Sequence, residues 1–263
     1  MNNLELLAYL AHSKSKSFLR KLDNTIDFII KHNDLCCSVS WGKDSVVMVH
    51  LVAQHLDSPK AINARYPCEF ERLKDMDVVR DKVLNRKDMK KLKYLEVDTP
   101  GEWEMFERAG HAFADASTKE EKESTKWWKD NFVKNMHNAA ISIGCSGHFI
   151  GMCVEESRGR KLNVKKRGRF YIKKDGTPIG LPLAYWSSKD IWAYHVANKL
   201  PCLRIYEVSP RGRHLARSGF VFATSGGEDW IHSQGIWKEW EMAYPYEFNG
   251  WLDKFPEMRK IML

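Results

Sequence analysis

Six consecutive residues, 40–45, form the group with the clearest chemical potential, and they read Ser-Trp-Gly-Lys-Asp-Ser. They follow an apolar run that predicts a buried strand and precede a pattern that predicts a helix. The first turn of a helix offers unpaired N–H groups and the positive end of its dipole, so a small turn there can hold phosphate. Hydroxyl groups and the Lys43 ammonium would add donors. The alternative is an ordinary strand-to-helix turn in which Asp44 is only a first-turn acid.

A second polar group, residues 151–160, lies more than a hundred residues downstream and contains Glu156, Ser157 and Arg160. It overlaps the end of another predicted strand, residues 148–154, and so belongs to the sheet edge where open α/β proteins bind ligands. The guanidinium of Arg160 can bind two phosphate or sulfate oxygens at once. The alternative is a solvated loop, because such charges normally lie on surfaces.

A third segment, residues 182–192, reads Pro-Leu-Ala-Tyr-Trp-Ser-Ser-Lys-Asp-Ile-Trp. It predicts a strand end that leads into a helix capped by Ser187 or Ser188. Ile191 and Trp192 would pack this helix against the sheet, which is a structural role.

In this order the three segments resemble the motifs of the phosphoadenosine phosphosulfate reductase family, within the adenine nucleotide α-hydrolase (PP-loop ATP pyrophosphatase) superfamily. The family patterns are S-G-G-x-D-S, G-x-R-x-x-E-S-x-x-R and P-L-x-x-W-[ST]-x-x-D-[VI]-W, and the resemblance covers about residues 35–206. Trp41 replaces the first glycine of the loop, and Cys153 stands where the family has arginine. Because tryptophan lacks the freedom of glycine at positive φ, the turn at Trp41 must differ or accept an unusual conformation.

The resemblance implies an enzyme that binds ATP or an adenylyl nucleotide and acts at the α-phosphate, by adenylation or sulfur transfer. Donors and cations around the α-phosphorus and the leaving pyrophosphate would stabilise such a reaction. Lys43, Asp44 and Arg160 are the candidate catalytic residues, with Asp44 orienting the loop or Mg²⁺. The predicted nucleotide-binding set comprises Ser40, Trp41, Gly42, Lys43, Asp44, Ser45, Gly151, Glu156, Ser157 and Arg160.

Two other functions stay open. One is a phosphoadenylyl or adenylyl sulfate reductase that takes its thiol from a partner protein, and the other is an inactive protein that binds a nucleotide or nucleic acid. Reductases of the family use a cysteine in the C-terminal tail, and their iron–sulfur subgroup adds a Cys-Cys pair and a later C-x-x-C. This chain has no cysteine after Cys202 and no C-x-x-C, and Cys36-Cys37 lies in a predicted buried strand. We therefore expect neither an iron–sulfur cluster nor zinc.

Apolar periodicity predicts three segments: an N-terminal helical segment over 1–33, an α/β domain over 34–206, and a loop-rich, aromatic C-terminal extension over 207–263 packed on that domain. The resemblance implies that the α/β domain is the nucleotide-binding one. Within the middle segment, predicted strands alternate with helical stretches. This alternation is typical of a Rossmann-like, open, mainly parallel sheet with helices on both faces.

The chain of 263 residues is 43% hydrophobic and carries a formal net charge of +8, which excludes wholesale disorder and favours anionic ligands. The basic segments 165–174 and 211–217 are candidate contacts for tRNA or DNA, with a solvated loop as the alternative. A thiol- or sulfur-donor protein is a further expected partner, and a membrane is not. Six scattered cysteines and the absence of an export signal favour a cytoplasmic protein.

Overall fold

The computed structural model describes residues 1–67, 70–113, 116–216 and 236–259. Its contacts group the chain into two compact units, each assembled from separate stretches of sequence. The first consists of Met1–Ala64, Val78–Val97 and Met136–Cys202, and the second of Arg65–Asp77, Asp98–Asn135 and Leu203–Leu263. The predicted segment boundaries near residues 33 and 206 stay a prediction.

Helices and strands alternate through most of the described residues. In chain order they are α1 (Asn3–Ser13), α2 (Lys16–Lys31), β1 (Leu35–Val39), α3 (Lys43–His55), β2 (Lys60–Arg65), α4 (Glu71–Leu84), β3 (Lys93–Asp98), α5 (Glu102–Ala109), α6 (Lys119–Ser142), β4 (Gly147–Ile150), α7 (Arg158–Arg167), β5 (Phe170–Ile172), β6 (Pro178–Gly180), α8 (Ser188–Ala197), α9 (Ile205–Val208), α10 (Ile236–Ala243) and α11 (Pro245–Lys254). Short 3₁₀ turns cover Lys87–Met89 and Val154–Glu156.

The six strands form one sheet in the order β3-β2-β1-β4-β6-β5. Strand β1 pairs in parallel with β2 and β4, β4 pairs in parallel with β6, and β5 is antiparallel to β6. The predicted α/β class, with a mainly parallel sheet and helical additions at both ends, is confirmed. From β1 the strand order first runs to β3 and then continues on the other side of β1 with β4. The topological switch point, where sheets of this type bind ligands, therefore lies between β1 and β4.

One local prediction needs correction. The strand expected over residues 148–154 ends at Ile150, and the chain then enters a loop and a 3₁₀ turn. Of the two serines predicted to cap α8, Ser187 is the N-cap, because its hydroxyl accepts the N–H of Asp190. Asp190 reaches back to the Ser187 N–H and completes a capping box.

Helix α3 is the central helix of the first unit. The side chains of Val46, Val49 and Val52 are fully buried, and so are those of Met48 and Leu51 between them. A helix that is apolar on all sides must lie inside the fold. The packing along the whole of α3 therefore fixes the position of its N-terminus.

The N-terminal helices are tied to α8 by Asp190, which is 1% exposed. The His12 Nε2 and Lys21 Nζ atoms lie 2.7 and 2.5 Å from its two carboxylate oxygens. Burial opposes ionisation of Asp190, but hydrogen bonds from Lys21 and Ser187 outweigh it and lower its pKa to about 2. The third motif of the sequence therefore joins helices together.

The second unit has an aromatic core. The rings of Trp103 and Trp251 meet edge to face with centroids 4.8 Å apart, and the Phe106 and Phe255 rings pack edge to face at 5.7 Å. The Trp251 side chain is 2% exposed, so its ring is not available to stack on bases. No helix within the described residues is long and apolar enough to cross a membrane.

Candidate functional site

The loop over residues 40–45 is closed by the hydroxyl of Ser45. This hydroxyl donates to the Gly42 carbonyl at 3.0 Å and accepts the N–H of Ser40 at 3.3 Å. Gly42 is the N-cap of α3 and has no side chain to satisfy the first N–H groups of the helix. Ser40 is exposed, whereas Ser45 is buried. The exposed Ser40 and the uncapped N–H groups at the start of α3 are therefore groups of the kind that bind phosphate.

Trp41 adopts the left-handed conformation, with a φ of +54°. Its side chain is 1% exposed, and its ring centroid lies 5.6 Å from that of Tyr94 on β3. Of the two outcomes expected at this position, the structure takes the second: a non-glycine residue accepts the conformation that glycine favours.

Lys43 is buried between two carboxylates. Its ammonium lies 2.7 Å from the Asp44 carboxylate and 2.8 Å from the Glu156 carboxylate, and only 3% of its side chain is exposed. A buried charge requires such partners, because burial without them costs several kcal/mol. The ion pairs join the loop to a residue that lies 113 positions later in the chain.

Glu156 also holds Arg160. Its Oε1 atom accepts from Lys43, and its Oε2 atom accepts a hydrogen bond from the Arg160 guanidinium. Ser157 caps α7, and its hydroxyl accepts the Arg160 N–H at 3.1 Å. With 41% of its side chain exposed, Arg160 is accessible from solvent, whereas Lys43 is not.

Gly151 explains how the two segments come so close. A Cβ atom at this position would lie 3.0 Å from three backbone atoms of Asp44 and Ser45, whereas ordinary van der Waals contacts of a Cβ atom are 3.4–4 Å long. The chain that leaves β4 is therefore packed directly on the first turn of α3. Only glycine fits there without a shift of the loop.

Two residues of the site were not assigned to it from sequence. The Cys153 thiol lies 3.7 Å from the Asp44 carboxylate, and burial, followed by the Asp44 charge, raises the pKa of this thiol. The His195 Nε2 atom lies 2.8 Å from the Lys43 carbonyl oxygen. Burial lowers the pKa of His195 to about 4, so the ring is neutral and Nε2–H donates to that carbonyl. The only sequence signal for His195 is its place on the helix of the third motif.

The sequence-predicted residues fall at one place on the carboxyl edge of the sheet. The loop follows β1 and the second segment follows β4, so both flank the switch point. Their predicted roles in catalysis and nucleotide binding stay predictions. The residues concerned are Ser40, Trp41, Gly42, Lys43, Asp44, Ser45, Gly151, Glu156, Ser157 and Arg160.

The two basic segments differ from one another. Residues 165–174 carry exposed cations on α7 and the following hairpin. In residues 211–217, by contrast, the Arg211 guanidinium binds the buried Glu239 carboxylate at 2.6 and 2.8 Å, and Arg213 is buried. Arg217 lies outside the described residues. The guanidinium groups of Arg211 and Arg213 therefore do not form the exposed patch that was expected.

Comparison with known proteins gives one family match. The phosphoadenosine phosphosulfate reductase domain matches residues 34–228. A search of curated proteins found no matching relative.

Solved structures similar to the chain include the following three. The U34-tRNA thiolase NcsA from Methanococcus maripaludis has a TM-score of 0.52 and 14% sequence identity; the match covers 94% of this chain and 80% of the thiolase chain. A phosphoadenylyl-sulfate reductase from Candida auris has a TM-score of 0.46 and 13% identity, with 70% of this chain and 84% of the reductase chain covered. The FMN adenylyltransferase from Candida glabrata has a TM-score of 0.44 and 14% identity, with 76% of this chain and 66% of the adenylyltransferase chain covered.

The expectation of neither an iron–sulfur cluster nor zinc is corrected by this comparison. The thiolase with the similar fold carries a [4Fe–4S] cluster, so the fold is compatible with one and cysteine spacing is no ground for excluding it. Among residues 1–67, 70–113, 116–216 and 236–259, no group of three or more His, Cys, Asp or Glu side chains is arranged to hold a metal ion. Cys68 lies outside these ranges. The described cysteines therefore supply no ligand set to which cluster chemistry can be assigned.

Proposed function

Because the chain belongs to the phosphoadenosine phosphosulfate reductase family, we propose that it is a PP-loop enzyme that binds ATP or an adenylyl nucleotide at the carboxyl ends of β1 and β4. The proposed reaction takes place at the α-phosphate. An acceptor oxygen bonds to the α-phosphorus of ATP as pyrophosphate leaves; for sulfur transfer, a sulfide-level donor then displaces AMP from the adenylated acceptor.

One observation carries this proposal: the loop after β1 and the segment after β4 meet at the switch point. The close approach of Gly151 to the backbone of α3 supports it, and so does the placement of Lys43 and Arg160 on the two oxygens of Glu156. Two cations that share one carboxylate are close enough to bind one polyphosphate chain. A surface loop of unrelated charges has no reason to converge in this way.

Each group then has a distinct task. The first turn of α3 holds the phosphates that leave as pyrophosphate, because the helix dipole favours anions there. The Lys43 ammonium joins it by exchanging one of its two carboxylate partners for a phosphate oxygen. Arg160 binds the phosphate that enters from solvent, since it is the more exposed cation. Asp44 and Glu156 keep the Lys43 ammonium in position, and His195 fixes the carbonyl of the same residue. Groups that are already oriented stabilise developing negative charge without reorganisation.

The test compares Arg160→Lys with Arg158→Lys, an exposed position on the same helix. Calorimetric titrations use ATP, AMP, adenylyl sulfate and phosphoadenylyl sulfate, and pyrophosphate release is followed with ATP. We expect Arg160→Lys to weaken binding about tenfold, because lysine keeps the charge but loses the planar fork. Arg158→Lys should bind as the wild type does. Equal affinity and turnover in all three proteins would make Arg160 a plain surface charge.

The family match supports a second candidate, reduction of a sulfonucleotide. The thiol that the structure describes at the site, Cys153, is 1% exposed, and its raised pKa makes it a poor nucleophile. A partner protein would then supply the thiol. Release of sulfite from phosphoadenylyl sulfate upon addition of a reduced dithiol protein favours this candidate, whereas release of pyrophosphate from ATP favours the first.

A further inference from the structure

Residues 158–174 contain nine Lys or Arg residues among seventeen and no Asp or Glu. The formal charge of this segment is therefore +9, against +8 for the whole chain, so that all other residues together sum to −1. The basic character of the protein resides in one short stretch. Such a concentration of charge marks a surface for a polyanion.

The segment forms α7, a turn and the first strand of the β5–β6 hairpin. Helix α7 is anchored by Val164, which is buried against Ile179 and Leu181. Its cations point away from that core and are exposed. Within the described part of the chain, none of the following side chains forms an ion pair: Lys161, Lys165, Lys166, Arg167, Lys173 and Lys174. Their charge is available to a ligand without the loss of an ion pair, whereas Arg160 is paired with Glu156.

Flat side chains lie beside these cations. The Arg169 guanidinium carbon is 4.4 Å from the Phe28 ring centroid and 5.7 Å from that of Tyr185. The Arg167 guanidinium lies 5.3 Å from the Tyr171 ring. Of the three rings, that of Tyr185 is exposed, with 58% of the residue accessible, whereas Phe28 is buried. An exposed ring beside a guanidinium plane is what unpaired bases stack on.

We propose that α7 and the β5–β6 hairpin, with Tyr185, bind a single strand of nucleic acid. The lysines bind the phosphates and the Arg–aromatic planes bind the bases, a combination that neither an anionic membrane nor an acidic protein requires. A duplex is a poorer ligand, because its base faces are already stacked.

The position of the surface also indicates what the strand is for. Arg160 lies in the first turn of α7 and Arg167 at its last residue, and a helix of this length spans about 15 Å. A strand bound along α7 therefore reaches the candidate site at Arg160. Resting on the proposed function, this makes the nucleic acid the acceptor: one of its oxygens bonds to the α-phosphorus of ATP as pyrophosphate leaves, and a sulfide-level donor can then displace AMP.

The experiment measures fluorescence anisotropy with labelled oligo(U) RNA, oligo(dT) DNA and a duplex, each of about 15 units. It compares the wild type with Lys165→Glu/Lys166→Glu/Lys174→Glu. The control, Lys87→Glu/Lys90→Glu/Lys91→Glu, changes net charge equally at exposed positions elsewhere. We expect the first variant to lose at least tenfold in affinity and to reduce the salt-dependence slope by about 2, and the control to stay near wild type.

Stacking is tested at one residue. Tyr185→Ala should weaken single-strand binding about tenfold, and Tyr185→Phe, which keeps the ring, should not. A preference for oligo(U) or oligo(dT) identifies the nucleic acid as RNA or DNA.

Several outcomes would overturn the inference: no oligonucleotide binding, equal losses in both triple variants, or equal affinity for the duplex. ATP titration of the same proteins separates this inference from the proposed function. Loss of oligonucleotide binding with ATP binding retained contradicts only the role of the surface. Oligonucleotide binding without ATP binding contradicts only the nucleotide site.

Discussion

Trp41 combines an unfavourable backbone with a favourable side chain. Its φ of +54° costs roughly 1–2 kcal/mol relative to glycine, while burial of an indole ring contributes roughly 3–5 kcal/mol. The second effect is larger. This explains how a tryptophan occupies a position where the family pattern has glycine.

The first prediction separates these two effects. Trp41→Gly should lower the free energy of unfolding by about 2–3 kcal/mol, because the lost packing outweighs the relieved strain. Trp41→Ala should be less stable still, by about 1 kcal/mol, since alanine loses the ring and keeps the Cβ penalty. Urea denaturation measures both variants. A Trp41→Gly protein as stable as the wild type would show that the ring contributes little.

Gly151 allows a second prediction at the level of one residue. Gly151→Ala places a Cβ 3.0 Å from the backbone of Asp44 and Ser45, and we expect a loss of stability of about 1–3 kcal/mol and weaker ATP binding. The matched control is Gly159→Ala on α7, where the nearest contact of the Cβ is the Ser157 hydroxyl at 3.9 Å. That variant should be as stable as the wild type or slightly more stable. Equal stability and equal ATP affinity of the two variants would show that the close approach of Gly151 to α3 affects neither stability nor ATP binding.

At the scale of elements, local patterns predicted local structure well. Strand β1 was predicted over residues 35–39 and occupies those residues, because a short apolar run before a glycine-containing turn leaves few alternatives. Strand β4 is shorter than predicted, since residues after Ile150 pack on α3 instead of continuing the ladder. No local pattern contains that long-range contact.

The same reasoning applies to the candidate site. Its residues could be selected from motifs, but the ion pair from Lys43 to Glu156 and the hydrogen bond from His195 could not. These contacts join parts of the chain that only the sheet topology brings together. Strand order, which is not encoded in any single segment, decides them.

Two buried histidines on different elements give a prediction about pH. Burial lowers the pKa of His148 on β4 and of His195 on α8 to about 4, from an unfolded value of 6.5. Below pH 6.5 the unfolded chain binds protons that the folded chain does not, so stability falls as pH drops from 6.5 to 4. Each histidine contributes on the order of 3 kcal/mol to this loss.

Urea denaturation between pH 7.5 and 4.5 measures this dependence, with pH values spaced by about one unit across the window set by the two pKa values. His195→Gln keeps an N–H donor for the Lys43 carbonyl but cannot titrate, so its curve should be flatter than that of the wild type. A curve parallel to the wild type would mean that the pKa of His195 is the same in the folded and the unfolded protein.

At the scale of the whole molecule, charge distribution and fold are a better guide to ligands and cofactors than cysteine spacing is. The excess of positive charge is concentrated on one helix and hairpin next to the carboxyl edge of the sheet, and the net charge of all other residues is −1. Cysteine spacing misled the cofactor prediction, because a similar fold in another protein carries an iron–sulfur cluster. The second unit is built around an aromatic core, and none of the three sequence motifs predicted a function for it.

The central claim is that the first turn of α3 and Lys43 bind the phosphates of an adenine nucleotide. Calorimetric titration with ATP and with adenosine tests it in the wild type, in Lys43→Ala, and in Lys16→Ala, an exposed lysine at the start of α2. We predict that ATP binds the wild type and Lys16→Ala equally, that adenosine binds at least tenfold more weakly than ATP, and that Lys43→Ala loses at least tenfold in ATP affinity. Thermal unfolding of each protein confirms that it is folded at the temperature of the titration. Equal ATP affinity in all three folded proteins, or equal affinity for ATP and adenosine, would contradict the account.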